Sequence, residues 1–390
     1  MKFSCEHVND FVLSKQHLTP GSHTNDTLEI VSSVIGLHAS DFKTPFLSCF
    51  ARSDDFRKES LYRELYQKRT LSKIKAMRNT LFIFRKGFVP TVFTALQGSV
   101  LKASAVYLEK YMNMFGVDRD LYERASREIL DIVGKESMDA AAIKKSLRGR
   151  VPDRRLWKKE VVVRGSRKYQ GPDAAGYIIY SLCDQCKLAR VGFEGMSSNK
   201  QHYIRWDEWF PELKMKKDVM GSRRELIESY INSFGPVTLR DIKWWTGFNT
   251  TEVTQVLEGL DIIYVEWEGM ESFEYFTTGS DLARLMGHRP SRRKGVTLLP
   301  VLDVYTMGYK DRERLAESRW QKSMYDRSGN AYPAILHRGR IIGVWRYPSF
   351  SGSPISPAGI RRFMFFGDVK PAVRGAVEAE YRRVSRFLAE

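Results

Sequence analysis

Within GLHASDF, residues 36–42, an imidazole, a hydroxyl and a carboxylate fall within four positions, at His38, Ser40 and Asp41. Histidine titrates near neutrality and can serve as acid or base. A nearby serine can orient a water or hold the histidine tautomer. An aspartate can stabilise a sugar that becomes oxocarbenium-like, as carboxylates do in glycoside hydrolysis. A plainer reading stands beside this one. A lone histidine is often structural, and Asp41 is placed to cap a helix opened by Lys43-Thr44-Pro45. The residue types leave both readings open. Elsewhere there is no Gly-rich phosphate loop and no Ser-His-Asp motif. The seven histidines, at 7, 17, 23, 38, 202, 288 and 337, have no metal spacing. Cys183 and Cys186 form a C-x-x-C inside a predicted helix with no second pair, so small buried thiols are expected. Neither a metal nor a cofactor is expected.

The elements that must position this loop are clearest at residues 222–277. SRRELIESYINSF places Leu226, Ile227, Tyr230, Ile231 and Phe234 on one helical face. Ser222 and Glu225, Thr238 and Asp241, and Asn249 and Glu252 all have capping-box spacing, marking three helix starts. Strands IIYVEW and SFEYF follow, joined at Glu268-Gly269. Three short helices and a hairpin form the winged-helix pattern. A weaker copy spans 121–206, with helices in ERASREILDIV, DAAAIKKSL and AAGYIIYSLCDQCKL and strands in LARVGF and HYIRW. A third is expected at the N-terminus: helices near 6–15 and 25–36, GLHASDF, helices near 43–66, and a KIKAM/TLFIF hairpin around Arg78-Asn79. The expected fold is therefore mainly α with small β-hairpins, α+β in class. It comprises winged-helix units at 1–118, 119–220 and 221–280, and a C-terminal α+β domain at 281–390.

The global signal is charge. Lys plus Arg number 63 against 46 Asp plus Glu, a net charge of +17. Such an excess points to a polyanion, with nucleic acid ahead of a membrane surface. The N-terminus MKFSCEHVND has no apolar leader, and no apolar run reaches membrane-spanning length. A cytoplasmic monomer is expected. The basic residues cluster at 57–78, 144–168, 289–294 and 337–340. Candidate DNA contacts are Arg52, Lys73, Lys75, Arg78, Asn79, Arg164, Arg167, Lys168, Tyr169, Lys310, Arg312, His337, Arg338 and Arg340. The helix NTTEVTQVLEGL carries Glu252 and Glu258 and would make a poor recognition helix.

Several stretches resemble the AlkZ-type (YcaQ-like) winged-helix DNA glycosylases. GLHASDFKTPFLSCFAR is similar to that family's GLQAQ segment and the ALWAR-like helix after it. RTLSKIKAMRNTLFIF resembles its RTWLMRGTLHLV hairpin, and FGPVTLRDIKWWTGF its third winged helix. LLPVLDVYTMGYKDR with PAILHRGRIIGVWR resembles its C-terminal signature. The resemblance implies a concave face for double-stranded DNA containing modified bases. It also implies a monofunctional, metal-independent glycosylase acting on bulky alkylated purines. The departures are specific. The family's first catalytic glutamine falls on His38, and its second residue, glutamine or aspartate, on Ser40. The hairpin glycine becomes Asn79 and its histidine Phe82. A histidine could protonate a neutral leaving base or activate water, contributing roughly 10²–10⁴-fold. Glycosylated or hydroxymethylated phage pyrimidines are therefore candidate substrates beside alkylated purines, in phage defence, repair or self-resistance. The alternative is a catalytically silent winged-helix regulator. That alternative predicts a basic recognition helix and a dimerisation or ligand domain, and neither is evident.

Overall fold

The computed structural model describes residues 1–158, 162–163, 167–168, 171–193, 201–291, 295–347 and 362–390. The N-terminal part runs β1 (Lys2–Phe3), α1 (Cys5–Lys15), α2 (Thr27–Ser33), β2 (Leu37–His38), α3 (Thr44–Phe50), α4 (Lys58–Tyr62), β3 (Leu71–Lys75) and β4 (Leu81–Arg85). Ser4 and Asp26 accept first-turn N–H groups and so fix the starts of α1 and α2. The sheet order is β2-β4-β3, antiparallel throughout. Arg78 and Asn79 turn the hairpin with φ of +51° and +61°. Gly36 lets β2 approach β4, because a Cβ there would lie 2.7 Å from the Phe84 ring and 2.8 Å from the Ile83 carbonyl oxygen.

A 27-residue helix, α5 (Val89–Phe115), leads into α6 (Arg119–Val133), β5 (Met138–Asp139), α7 (Ala140–Arg150), β6 (Val162–Val163) and β7 (Arg167–Lys168). Then come α8 (Ala174–Asp184), β8 (Leu188–Phe193), β9 (Gln201–Arg205) and α9 (Trp206–Trp209), with β5, β9 and β8 in one sheet. The next elements are α10 (Val219–Phe234), α11 (Leu239–Thr246), α12 (Thr250–Leu257), β10 (Ile262–Trp267), β11 (Tyr275–Thr278) and α13 (Gly279–Gly287). Both side-chain and backbone halves of the capping boxes form at Thr238/Asp241 and Asn249/Glu252. The third expected box does not form. α10 begins earlier, capped by Asp218, and the Ser222 hydroxyl donates back to the Asp218 carbonyl at 2.6 Å inside the helix. β1 joins this hairpin, pairing in parallel with β10 so that Lys2 lies beside Glu266 and Phe3 beside Trp267.

The C-terminal part holds β12 (Val296–Leu299), α14 (Val304–Met307), α15 (Ser318–Met324), β13 (Ala334–His337), β14 (Arg340–Trp345), β15 (Phe363–Phe365) and α16 (Pro371–Ala389). Its four strands form one antiparallel sheet in chain order. The architecture is mainly helical with small sheets, α+β. Its core falls into two clusters. The larger joins α1–α4, the front of α5, α10–α13 and the C-terminal sheet. The smaller is confined to Met112–Tyr203. α5 packs on α10 with its first half and on α8 with its second, and so ties the two together. No described helix is long and apolar enough to cross a membrane.

Candidate active site

β2 carries the 38–41 turn to the edge of the N-terminal sheet, where His38 pairs with Phe82 and the Ala39 N–H donates to the Leu81 carbonyl at 2.8 Å. The imidazole is 1% exposed, its ring 5.0 Å from that of Phe82. Burial first, and then the Arg78 charge, push its pKa down to about 3 against an opposing pull from Asp303. His38 is therefore neutral. The Ser40 N–H donates to its Nδ1 at 3.4 Å, so the ring proton sits on Nε2. A ring so buried disfavours the imidazolium that would hand a proton to a leaving base.

Ser40 is exposed. Its Oγ accepts the Leu81 N–H at 3.2 Å, which leaves its own proton to donate. Asp41 takes the plainer of its two readings. Its Oδ1 accepts the Lys43 and Thr44 N–H groups at 3.0 and 3.1 Å and opens α3. Ser40 lines the cleft beside this turn, and Asp41 does not.

That cleft, about 580 Å³, lies between the β3–β4 hairpin, the start of α7, α8 and β9. Three cations line it, Lys73, Lys75 and Arg190, with two carboxylates, Asp139 and Asp184, a balance of +1. Asp184 accepts from Lys75 Nζ at 2.7 Å, Ser104 Oγ at 2.8 Å and Arg190 Nη2 at 3.3 Å. Lys73 is half-buried and has no carboxylate partner among the described residues. Burial and the Arg190 charge push its pKa down to about 8. Tyr180, Gln201 and Tyr203 complete much of the wall. Asp184, Arg190 and Tyr180 carry no local signal, because they reach the cleft only when α8 and β8 meet β3.

The other sequence candidates are dispersed. Arg52 is a correction. It is 0% exposed, its guanidinium is matched to Asp303, and it cannot reach a phosphate. Arg78 and Arg312 are half-buried on aromatic faces. Arg78 stacks 4.0 Å from the Trp244 centroid, and Arg312 lies 3.4 Å from that of Tyr325. Burial and Arg312 lower the Arg78 pKa to about 10. The Asn79 side-chain oxygen is buried without a hydrogen bond. Lys310 and Arg338 are exposed, His337 meets the Gly295 carbonyl at 3.2 Å, and Arg340 donates to the Glu313 carbonyl at 3.0 Å. The turn at Arg338-Gly339 does not project. Gly339 packs against Asn9 of α1, and its carbonyl accepts from Tyr305 at 3.3 Å. Arg167 and Lys168 lie on β7, paired with β6. Arg164 and Tyr169 fall outside the described residues.

No group of three or more potential metal ligands gathers among the described residues. The Cys183 thiol is buried in α8, which pushes its pKa up to about 11, and Cys186 follows the helix end. What remains is a hydroxyl presented to a weakly cationic cleft, on a residue whose backbone N–H the buried imidazole accepts.

Residues 31–387 match the family model described as DNA glycosylase AlkZ-like. Among solved structures, the Streptomyces sahachiroi DNA glycosylase AlkZ is similar at 20% identity with a TM-score of 0.73. The match covers 99% of this chain and 97% of that one. No curated protein matches the chain.

Proposed function

For a chain that belongs to the AlkZ-like DNA glycosylase family, and is thus a DNA glycosylase, we propose that the base removed is a bulky alkylated purine, swung out of the duplex into the cleft beside Ser40. One observation carries this reading: His38 is buried against the Phe82 ring with Nδ1 turned to the Ser40 N–H, so no imidazolium faces the cleft. A purine alkylated at N7 or N3 is cationic and departs without a proton. A glucosylated or hydroxymethylated pyrimidine is neutral and would need an acid that this imidazole does not supply.

Ser40 is then the catalytic residue: with Leu81 N–H on one lone pair, its hydroxyl oxygen accepts a hydrogen of the attacking water with the other, the C1′–N bond breaks with its electrons leaving on the base, the water oxygen bonds C1′, and the released proton passes to solvent. His38 is a positioning residue. It accepts from the Ser40 backbone, as a glutamine side-chain oxygen could. Lys73 holds a phosphate beside the extruded nucleotide. Its Lys75 and Arg190 neighbours are already committed to Asp184, which limits repulsion of a cationic base.

The test incubates the protein with duplex DNA carrying 7-alkylguanine and, in parallel, with glucosylated-hydroxymethylcytosine phage DNA, scoring abasic sites by alkaline cleavage. Cleavage of the first supports the assignment. Cleavage of the second alone overturns it, and binding without cleavage of either returns the silent regulator.

A further inference from the structure

Among the described residues, Lys73 is the one cation of the cleft with neither a carboxylate partner nor a hydrogen-bond acceptor. It lies on β3 opposite Ile83 of β4, which pairs in turn with Leu37 of β2. The lysine thus stands two strands from the segment that delivers Ser40, about 10 Å across the sheet. Both residues line the same cleft. Lys75 is held by Asp184 at 2.7 Å, and Arg190 reaches the same carboxylate at 3.3 Å. Lys73 alone is left to meet what enters.

Half-burying an ammonium without a partner costs free energy, because it gives up water and gains no counter-charge. A lysine that is desolvated and set beside another cation is a nucleophile towards carbonyl carbon. Burial and the Arg190 charge, which push its pKa down to about 8, leave part of Lys73 as the free amine near neutrality. The electrophile is the product of the first reaction in the same cleft. Once the base has gone, the abasic sugar opens to an aldehyde at C1′. The ammonium that holds phosphate before excision becomes, on losing its proton, an amine beside that carbon.

We infer that Lys73 gives the protein a second activity, scission of the strand at the abasic site by β-elimination through an imine with C1′. It rests on the cleft being where the base leaves. The Lys73 nitrogen bonds C1′, and the aldehyde oxygen departs as water with one proton from the amine and one from solvent, leaving an iminium. Asp139, on the α7 side of the cleft, takes a C2′ proton. Its Oδ1 accepts the Ala142 N–H at 2.7 Å, and Oδ2 has no donor among the described residues. The C2′–H electrons form C1′=C2′ while the iminium pair withdraws to nitrogen. That pair then returns, C2′=C3′ forms, and the C3′–O bond breaks with its electrons on the departing phosphate. Water hydrolyses the remaining iminium, which frees an unsaturated aldehyde and restores Lys73.

A duplex with one preformed abasic site tests this, so the result does not depend on which base is excised. The full chain is mixed with saturating DNA, with and without sodium borohydride, which reduces an imine to a stable amine. With borohydride the wild type should give a covalent protein–DNA adduct, and peptide mass spectrometry should place the sugar on Lys73. Without it the strand should be nicked, with an unsaturated aldehyde on the 3′ end and a phosphate on the 5′ end. Lys73→Arg keeps a cation, lacks the nucleophilic amine and should lose both products. The mapping uses wild type alone, so it stands even where the variant folds poorly. No adduct from wild type bound to the abasic duplex, an adduct on another amine, or an adduct without scission overturns the second activity. Excision of 7-alkylguanine is scored separately. Excision without an adduct removes the lyase and keeps the glycosylase reading; an adduct and scission without excision remove the assigned base and keep the lyase.

Discussion

Arg52 and Asp303, 251 residues apart, close a bidentate ion pair with both contacts at 2.9 Å and both side chains fully buried. Asp303 also accepts from Ser48 Oγ at 2.7 Å and from the Tyr305 N–H at 2.9 Å, so one carboxylate ties α3 to the start of α14. Beside it, Thr44 Oγ1 donates to the Val301 carbonyl at 2.8 Å. The turn bearing His38 and Ser40 is thus braced from below by the C-terminal part. Two of the sequence stretches that resemble the glycosylases, FLSCFAR and LLPVLDVYTMGYKDR, meet at this pair.

Asp303→Ala should therefore cost about 3–5 kcal/mol of stability, because it strands a buried guanidinium. Burial alone would push the Asp303 carboxyl up. The Arg52 charge and the hydrogen bonds from Arg52 and Ser48 outweigh it and hold the group below the ordinary carboxylate range. A depressed folded pKa means the stabilisation is present above the unfolded carboxylate pKa and is lost as pH falls through the folded value. Urea midpoints of wild type and variant should converge in acid. Equal midpoints at pH 7 would remove the brace.

Arg52 shows why part of the site was hidden in the sequence. An arginine just past an apolar helix reads as a surface cation until its partner is known, and that partner lies in another part of the chain. The boxes at Thr238/Asp241 and Asn249/Glu252 were legible because a capping box is contained within four consecutive residues. Ser222/Glu225 had the same spacing and failed, because Asp218 caps the helix one turn earlier. α5 escaped the amphipathic pattern, since it is covered by α10 along one half and by α8 along the other. The loop carrying His38 was legible as a place. The neutrality of His38 was not, because it follows from Phe82, Arg78 and burial.

That neutrality has a stability signature. The folded pKa of His38, about 3, lies below the unfolded value near 6.5. The unfolded chain thus binds the extra proton, and the wild type loses stability as pH falls below about 6.5. At pH 5 this one group should cost about 2 kcal/mol relative to pH 8. His38→Gln removes the term, so its stability relative to wild type should rise by that amount between pH 8 and pH 5. Single-turnover cleavage by wild type should stay flat between pH 6 and 8. A rate that drops above pH 6.5 and is levelled by His38→Gln would restore the acid role.

Ser40→Ala removes the one hydroxyl that faces the cleft from this turn and keeps the backbone N–H that His38 accepts. Cleavage of the alkylated duplex should fall about 10²-fold, the scale of misplacing a reacting group, with DNA affinity and thermal stability unchanged. A variant that cleaves at the wild-type rate would place the water elsewhere.

Lys73 and Lys75 sit two residues apart on one face of β3, and among the described residues only Lys75 is bound to a carboxylate. Their substitutions should therefore differ. Lys73→Ala should weaken DNA binding almost uniformly across sequences and lower the salt slope by about one, without loss of stability. Lys75→Ala leaves Asp184 with Arg190 as its remaining cation, so stability should suffer more than affinity. Lys73 also gives the affinity a pH dependence. Its ammonium holds phosphate below about pH 8 and is lost as pH rises through that value. DNA affinity of wild type should therefore decline between pH 7 and 9, and that of Lys73→Arg should not. Parallel decline in both proteins would take Lys73 out of the phosphate contact and leave the cleft to Lys75 and Arg190.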